Sequence, residues 1–352
     1  HGLTAEVYPE VSASMAVRLR REPSAFWRRA RRDNSLSRQP VPPLLPLGTL
    51  VRVPDRGDVF VRYQAGPHGA PTVLLLHGWL ASADLNWLGT FPALAGRYHV
   101  VAMDHRGHGR SIRTHEPFSL EDCADDAAGL LRVLGVRNAV VAGYSMGGPI
   151  ALLLARRHPD LVRGLVLVAT AAELARTGVR RGMGTIVNVL GPLVRSGLPD
   201  RMAEVAGTRL GFLGELAELS PWMAGEMKRL HPSDIVGSGR AIAGFDARPW
   251  LAELRTPAAS VVTLRDRAVG PDRQRATAGA LGTPVIEVDG GHAVCVTEPE
   301  VLGAAMRQAV DVVVRGRRDR DRRRSRAGRW LRAVSSAPSP VGASDDELGV
   351  AV

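Results

Sequence analysis

A serine stands between two glycines at Gly143-Tyr144-Ser145-Met146-Gly147, the G-x-S-x-G spacing. Such a hydroxyl can attack a carbonyl carbon if a base takes its proton and a carboxylate orients the base. The glycines have a steric purpose, because a serine thrust out on a sharp strand-to-helix turn leaves no room for side chains two residues away. Of the ten histidines, His292 is the best-placed base: it follows the run Val285–Val288 within Asp289-Gly290-Gly291-His292, on a loop able to swing over a sheet edge. His105 and His108 are rivals, and with Asp104 they can also be read as metal ligands, although no further ligand cluster lies nearby. Asp266 follows the run Ala259–Leu264 at the same edge, and the chain order Ser145, Asp266, His292 is the one that accompanies a strand–turn–helix nucleophile. Asp289, Asp104 and Asp272 are alternative acids, Asp289 being better suited to shaping its turn.

A tetrahedral intermediate also requires N–H donors for its oxygen. The N–H of Met146 is one by position. The second is expected in His77-Gly78-Trp79, after the run Thr72–Leu76, as the N–H of Trp79, with His77 satisfying backbone groups of the loop.

The elements needed to position these groups alternate along the chain. Strands are predicted at Val59–Tyr63, Thr72–Leu76, His99–Met103, Ala139–Ala142, Leu165–Val168, Ala259–Leu264 and Val285–Val288. Several are apolar without alternation, as parallel strands covered on both faces must be. Helical spacing falls between them, as at Leu120–Leu134 and Pro149–Arg157. The result is a mostly parallel central sheet with right-handed crossovers and helices on both faces. From about Glu173 to Trp250 the strand signals lapse, which predicts a helical cap over the carboxyl edge; Met183, Leu190, Phe212, Trp222 and Met223 there could line an apolar acyl pocket or pack the cap's own helices.

The segments HGW at 77–79, DHRGHGRS at 104–111, GYSMGG at 143–148 and GGH at 290–292 together resemble the α/β-hydrolase superfamily, most of all its capped esterase, lactonase and cofactor-free haloperoxidase-like branch. The resemblance spans about residues 50–314. It implies Ser145 as nucleophile, His292 as base, Asp266 as acid, Trp79 and Met146 as oxyanion donors, and neither cofactor nor metal. A serine at the elbow argues against epoxide hydrolase and haloalkane dehalogenase chemistry, which use an aspartate there. One departure is that Arg265 and Arg267 flank the acid, where the family often has small or aliphatic residues. The implied activity is hydrolysis of an ester or related acyl bond on an apolar acyl substrate. Acyl transfer, thioester, lactone or carbon–carbon cleavage would use the same groups, and a low-turnover ligand-binding protein on this fold is the alternative from another class.

The chain has 352 residues, 45% hydrophobic and 23% charged, values that exclude a mostly disordered or collagen-like polymer. Two cysteines, Cys123 and Cys295, exclude a disulfide scaffold and favour a reducing, cytoplasmic compartment. The net charge of +11 is localised: residues 1–48 carry eight Arg against four acids, residues 315–352 ten Arg against five, and the body between retains +2. A near-neutral body argues against nucleic acid as the main partner. The basic, Pro-rich arm at 1–48 could touch an anionic membrane surface, or be a solvated arm or a helix packed on the body; the Arg-rich tail at 315–352 reads as disordered. The longest weakly polar run, Ala139 to Ala155, is 17 residues and broken by glycines, short of a membrane span, and the opening residues lack the pattern of a secretory leader.

Overall fold

A computed structural model of the chain describes residues 45–114, 116–174, 226, 229 and 232–316. By internal contacts, residues 1–314 form one unit and 315–352 another. The first is built on an eight-stranded sheet in the order β1-β2-β4-β3-β5-β6-β7-β8. Its strands are β1 (Gly48–Val53), β2 (Gly57–Gln64), β3 (Thr72–Leu76), β4 (His99–Met103), β5 (Ala139–Tyr144), β6 (Val162–Val168), β7 (Ala258–Thr263) and β8 (Val285–Val288). β2 runs antiparallel to β1 and β4, and every pairing from β4 to β8 is parallel.

Side-chain alternation along the strands builds two cores. Leu74 and Leu76 of β3 face one side, where α3 (Leu120–Val133) and α4 (Gly147–Arg157) supply Leu130, Leu131, Ile150 and Leu154. Val73 and Leu75 face the other, against Trp87 of α1 (Ala83–Trp87), Phe91 and Leu94 of α2 (Thr90–Leu94), and a helix that begins at residue 299. With both faces covered, β5 is buried at all six positions, the cause of its unalternating Ala139-Val140-Val141-Ala142. Ser119 caps α3 by accepting the N–H of Asp122 at 3.0 Å. α5 (Pro232–Gly244) falls within the expected cap, α6 (Pro271–Leu281) joins β7 to β8, and α7 (Val294–Thr297) follows β8.

All seven expected strands are present: β3, β4 and β8 have the expected bounds, β7 is shifted by one residue, and β2, β5 and β6 are longer by two or three residues. β1 was not expected. It is an edge strand with only Val53 buried, so it lacks the apolar run that marks its neighbours. The fold accordingly begins before the end of the arm expected over 1–48: Gly48 opens β1, and the Pro46 carbonyl accepts from Arg62 at 2.6 Å. The cap residues named above, Met183 to Met223, and the tail beyond residue 316 lie outside the described residues; residues 315 and 316 are the end of the last described helix. No described helix is long and apolar enough to cross a membrane.

The sheet's connectivity decides where a site can form. From β3 the chain moves to β4 on one side and later returns to β5 on the other, so the loops after β3 and β5 part at their carboxyl ends and leave a crevice. Leu76 pairs with both Met103 and Gly143, which brings the following loops to one level. Because Leu74 is wholly buried in the middle of this arrangement, Leu74→Ala is expected to lower unfolding free energy by about 2–5 kcal/mol in urea denaturation.

Candidate active site

At the end of β5 the backbone turns through Ser145, whose φ of 50° lies in the left-handed region that a β-carbon disfavours. The turn is held by three hydrogen bonds. Ser145 N–H donates to the Val168 carbonyl at 2.9 Å, and the Ser145 carbonyl accepts from Gly148 N–H at 2.9 Å and from the Thr170 hydroxyl at 2.7 Å. Its tightness explains both flanking glycines: a β-carbon on Gly143 would lie 2.1 Å from the Gly147 carbonyl oxygen, and one on Gly147 2.1 Å from that of Leu76. α4 starts two residues after Ser145, with Met146 as its N-cap, so its positive end lies at the turn.

His292 stands on the loop after β8, with Nε2 3.0 Å from Ser145 Oγ and Nδ1 2.8 Å from Asp266 Oδ2. Asp266 is buried and accepts from five groups. Ala268 and Val269 N–H reach Oδ1 at 2.9 and 2.8 Å; the Thr263 hydroxyl, Gln274 Nε2 and His292 Nδ1 reach Oδ2. A carboxyl surrounded by donors acts purely as acceptor, so the His292 proton sits on Nδ1 and the Nε2 lone pair faces the serine. The loop is fixed further by the Tyr144 phenol, which donates to the His292 carbonyl at 2.6 Å.

Of the alternative acids, Asp289 is exposed and pairs with Arg265 at 2.9 Å, and Asp272 is fully exposed. Asp104 is buried elsewhere, accepting from Ala83 and Arg110 N–H at 2.8 Å each. Arg265 and Arg267 are exposed, and Arg265 is turned toward Asp289 and Glu298, so neither takes the Asp266 carboxylate. Among the described residues no group of three or more ligating side chains could hold a metal, so His105, His108 and Asp104 form no such centre.

The loop after β3 comes close beside the serine: a β-carbon on Gly78 would sit 3.2 Å from Ser145 Cβ. His77 Nδ1 donates to the Gly78 carbonyl at 2.7 Å, while its Nε2 accepts His105 N–H at 2.9 Å. A trans peptide directs its N–H opposite to its carbonyl, so the pull of His77 on the Gly78 oxygen aims the Trp79 N–H the other way. Gly78 N–H is itself tied to Asn86 Oδ1 at 2.5 Å, and Asn86 Nδ2 donates to the Cys295 thiol at 3.1 Å. Among the described residues nothing accepts from the N–H of Trp79 or of Met146. Among the described residues, then, two N–H groups are left without an acceptor, one on the residue after the serine and one in the loop packed beside it, and such donors can bind an oxygen that gains negative charge.

The sequence pattern shows the groups on the reacting line but not those behind them. Thr170 and Tyr144 lie far from their partners in the chain, and Asn86 and Gln274, eight residues from Gly78 and Asp266, form no spacing pattern that marks an ordinary buried Asn or Gln.

Residues 71–299 match the model of a family described as having the alpha/beta hydrolase fold. The chain belongs to that family. Over 259 residues it is 32% identical to the Azorhizobium caulinodans protein named "Putative carbamate hydrolase RutD", an alignment covering 70% of this chain and 93% of that one. It is 36% identical over 126 residues to the bifunctional esterase/perhydrolase DCH of Acinetobacter calcoaceticus, covering 35% of this chain and 45% of that one. Among solved structures, the enol-lactonase of Burkholderia xenovorans LB400 is similar with a TM-score of 0.63 at 22% identity, covering 76% of this chain and all of that one. A hydrolase from Pseudomonas aeruginosa PA01 matches with the same score at 24% identity, over 74% of this chain and 96% of that one. At these identities the structural likeness speaks for the fold alone.

Behind the site, His77, His105 and His108 are fully buried, with the His77 and His105 rings 4.4 Å apart. Burial pushes His105 down to about 3 and His108 to about 4 from the usual 6.5, and His77 falls well below it for the same reason. Neutral histidines of this kind contribute stability that is complete above about pH 6.5 and is lost as pH falls toward their folded values. Asp104, raised by burial to about 6, opposes them as one group against three. The melting temperature is therefore expected to fall as pH is lowered from 7 to 5, and His105→Gln to flatten that slope in a scanning calorimetry series.

Proposed function

We propose that the protein is a serine hydrolase that cleaves a carboxylic ester or related acyl bond through a covalent acyl-enzyme. The observation that carries this reading is the unbroken hydrogen-bonded line from Asp266 through His292 to Ser145, ending on a serine in a left-handed turn. Ser145 Oγ attacks the carbonyl carbon while His292 Nε2 takes its proton, and Asp266 stabilises the imidazolium through Nδ1–H. The carbonyl oxygen, now negative, lies against the N–H groups of Trp79 and Met146. As the tetrahedral centre collapses, His292 returns the proton to the departing alkoxide, and water activated by the same imidazole releases the acid. A small molecule with an apolar acyl group is the expected substrate.

The likeness to RutD favours one variant of this reading, a carbamate as the acyl donor, because the chain shares 32% identity with a relative whose name describes that activity. The same groups would then expel the alkoxide to leave a carbamoyl-enzyme, which water releases as a carbamic acid that breaks down to carbon dioxide and the amine. Comparison of matched ester and carbamate substrates separates the two by kcat/KM.

Ser145→Ala is expected to abolish hydrolysis of p-nitrophenyl acetate while leaving the circular dichroism spectrum unchanged. A fluorophosphonate should modify the wild type once, at Ser145, as read by peptide mass; modification of a different serine would sink the mechanism. Asp266→Asn keeps the shape of the cradle but loses the charge, and kcat is expected to drop on the order of 10⁴-fold.

A further inference from the structure

We infer that Ser238, on α5, is a positioning residue for the oxyanion donor, holding Trp79 by its indole. The inference rests on the hydrolase reading, in which the Trp79 N–H meets the developing negative charge. Ser238 is fully buried. Its hydroxyl accepts the Trp79 indole N–H at 2.9 Å and donates to the Asp234 carbonyl, one turn back, at 2.6 Å. The hydroxyl has acceptors only on its own helix, the Asp234 carbonyl and, at 3.2 Å, that of Ile235, so its proton stays on the helix and its lone pairs remain for the indole. The next residue, Gly239, offers bare backbone to the same ring, since a β-carbon there would come within 3.1 Å of the indole.

Trp79 needs such an anchor. Leu80, the residue after it, is held at φ 59°, a conformation that its side chain disfavours. The loop is therefore gripped at two ends: His77 holds the Gly78–Trp79 peptide, and Ser238 holds the side chain beyond it. α5 is itself seated on the body. Asp234 packs where a β-carbon on Gly107 would lie 2.8 Å away, and Phe118 where one on Gly237 would lie 3.1 Å away. The aim of one oxyanion donor thus depends on a helix outside the central sheet.

The test is a double-mutant cycle on p-nitrophenyl acetate hydrolysis with Ser238→Ala, Trp79→Phe and the double variant. Displacing a catalytic group by an ångström can cost on the order of a hundredfold, so each single variant is expected to lower kcat by about tenfold or more with KM within about twofold. The double variant should lose no more than the worse single one, because both remove the same bond. Trp79→Phe removes the indole N–H without altering α5, so the result does not hinge on how well that helix tolerates substitution. A Ser238→Ala enzyme with kcat within about twofold of wild type, or losses that multiply in the double variant, would overturn the inference while Ser145 labelling leaves the hydrolase reading intact. A wild type that neither hydrolyses the ester nor takes fluorophosphonate at Ser145 overturns both.

Discussion

The left-handed turn at Ser145 is the constraint on which the rest of the structure depends. A non-glycine residue in this region costs on the order of 1–3 kcal/mol, and it persists only where the surroundings over-determine it. Here the surroundings are β6, which accepts the Ser145 N–H, the Thr170 hydroxyl and the close passage of Gly147 past the Leu76 carbonyl. Each of these belongs to a neighbouring strand or the loop behind it. The turn therefore exists only when β3, β5 and β6 are in register, and sheet assembly and exposure of the hydroxyl are one event.

The loop after β3 obeys a similar logic with different means. It has no regular structure to fix it, so its peptide planes are fixed one by one through His77 and Asn86. Both are buried, and both have each polar end matched to a partner: His77 to Gly78 and His105, Asn86 to Gly78 and Cys295. The Cys295 thiol stays protonated because burial pushes it up to about 11. Hydrogen bonds in a dry interior hold direction strongly, since a misaligned buried group finds no water to replace its lost partner. The neutrality of the three histidines belongs to this arrangement, as a charged His77 would have no lone pair to accept the His105 N–H.

The fold and the hydrogen-bonded line of Asp266, His292 and Ser145 were legible in the sequence for physical reasons. Strands covered on both faces must be continuously apolar, which made β3 to β7 visible as runs, and an elbow around serine must be flanked by glycine. β1 escaped because an edge strand buries little, and its Thr49, Leu50 and Arg52 read like a loop. Asp266 is preferred to Asp289 on its place after a strand and on chain order, and the structure adds the reason: both lie in turns near the edge, but Asp289 faces solvent with Arg265 while Asp266 points inward to His292. Asn86 and Ser238 had no signal at all, since their importance lies in what they meet across the fold, at Cys295 and Trp79, and Gln274, though near Asp266 in the chain, sits in no pattern that marks it.

The cradle around Asp266 has a property of its own. Apart from the imidazole, every donor to its carboxylate comes from Thr263, Ala268, Val269 or Gln274, the end of one strand, the turn after it and the first turns of the next helix. The acid is thus aimed by one short stretch of chain, and that stretch is clamped to the histidine loop, because the Arg265 N–H donates to the Gly290 carbonyl at 3.0 Å and its guanidinium to the Asp289 carbonyl at 2.6 Å. A change of length in either segment would be felt by both, so carboxylate and imidazole are bound to drift together, while the serine turn, tied to β6 and Thr170, keeps its own anchorage.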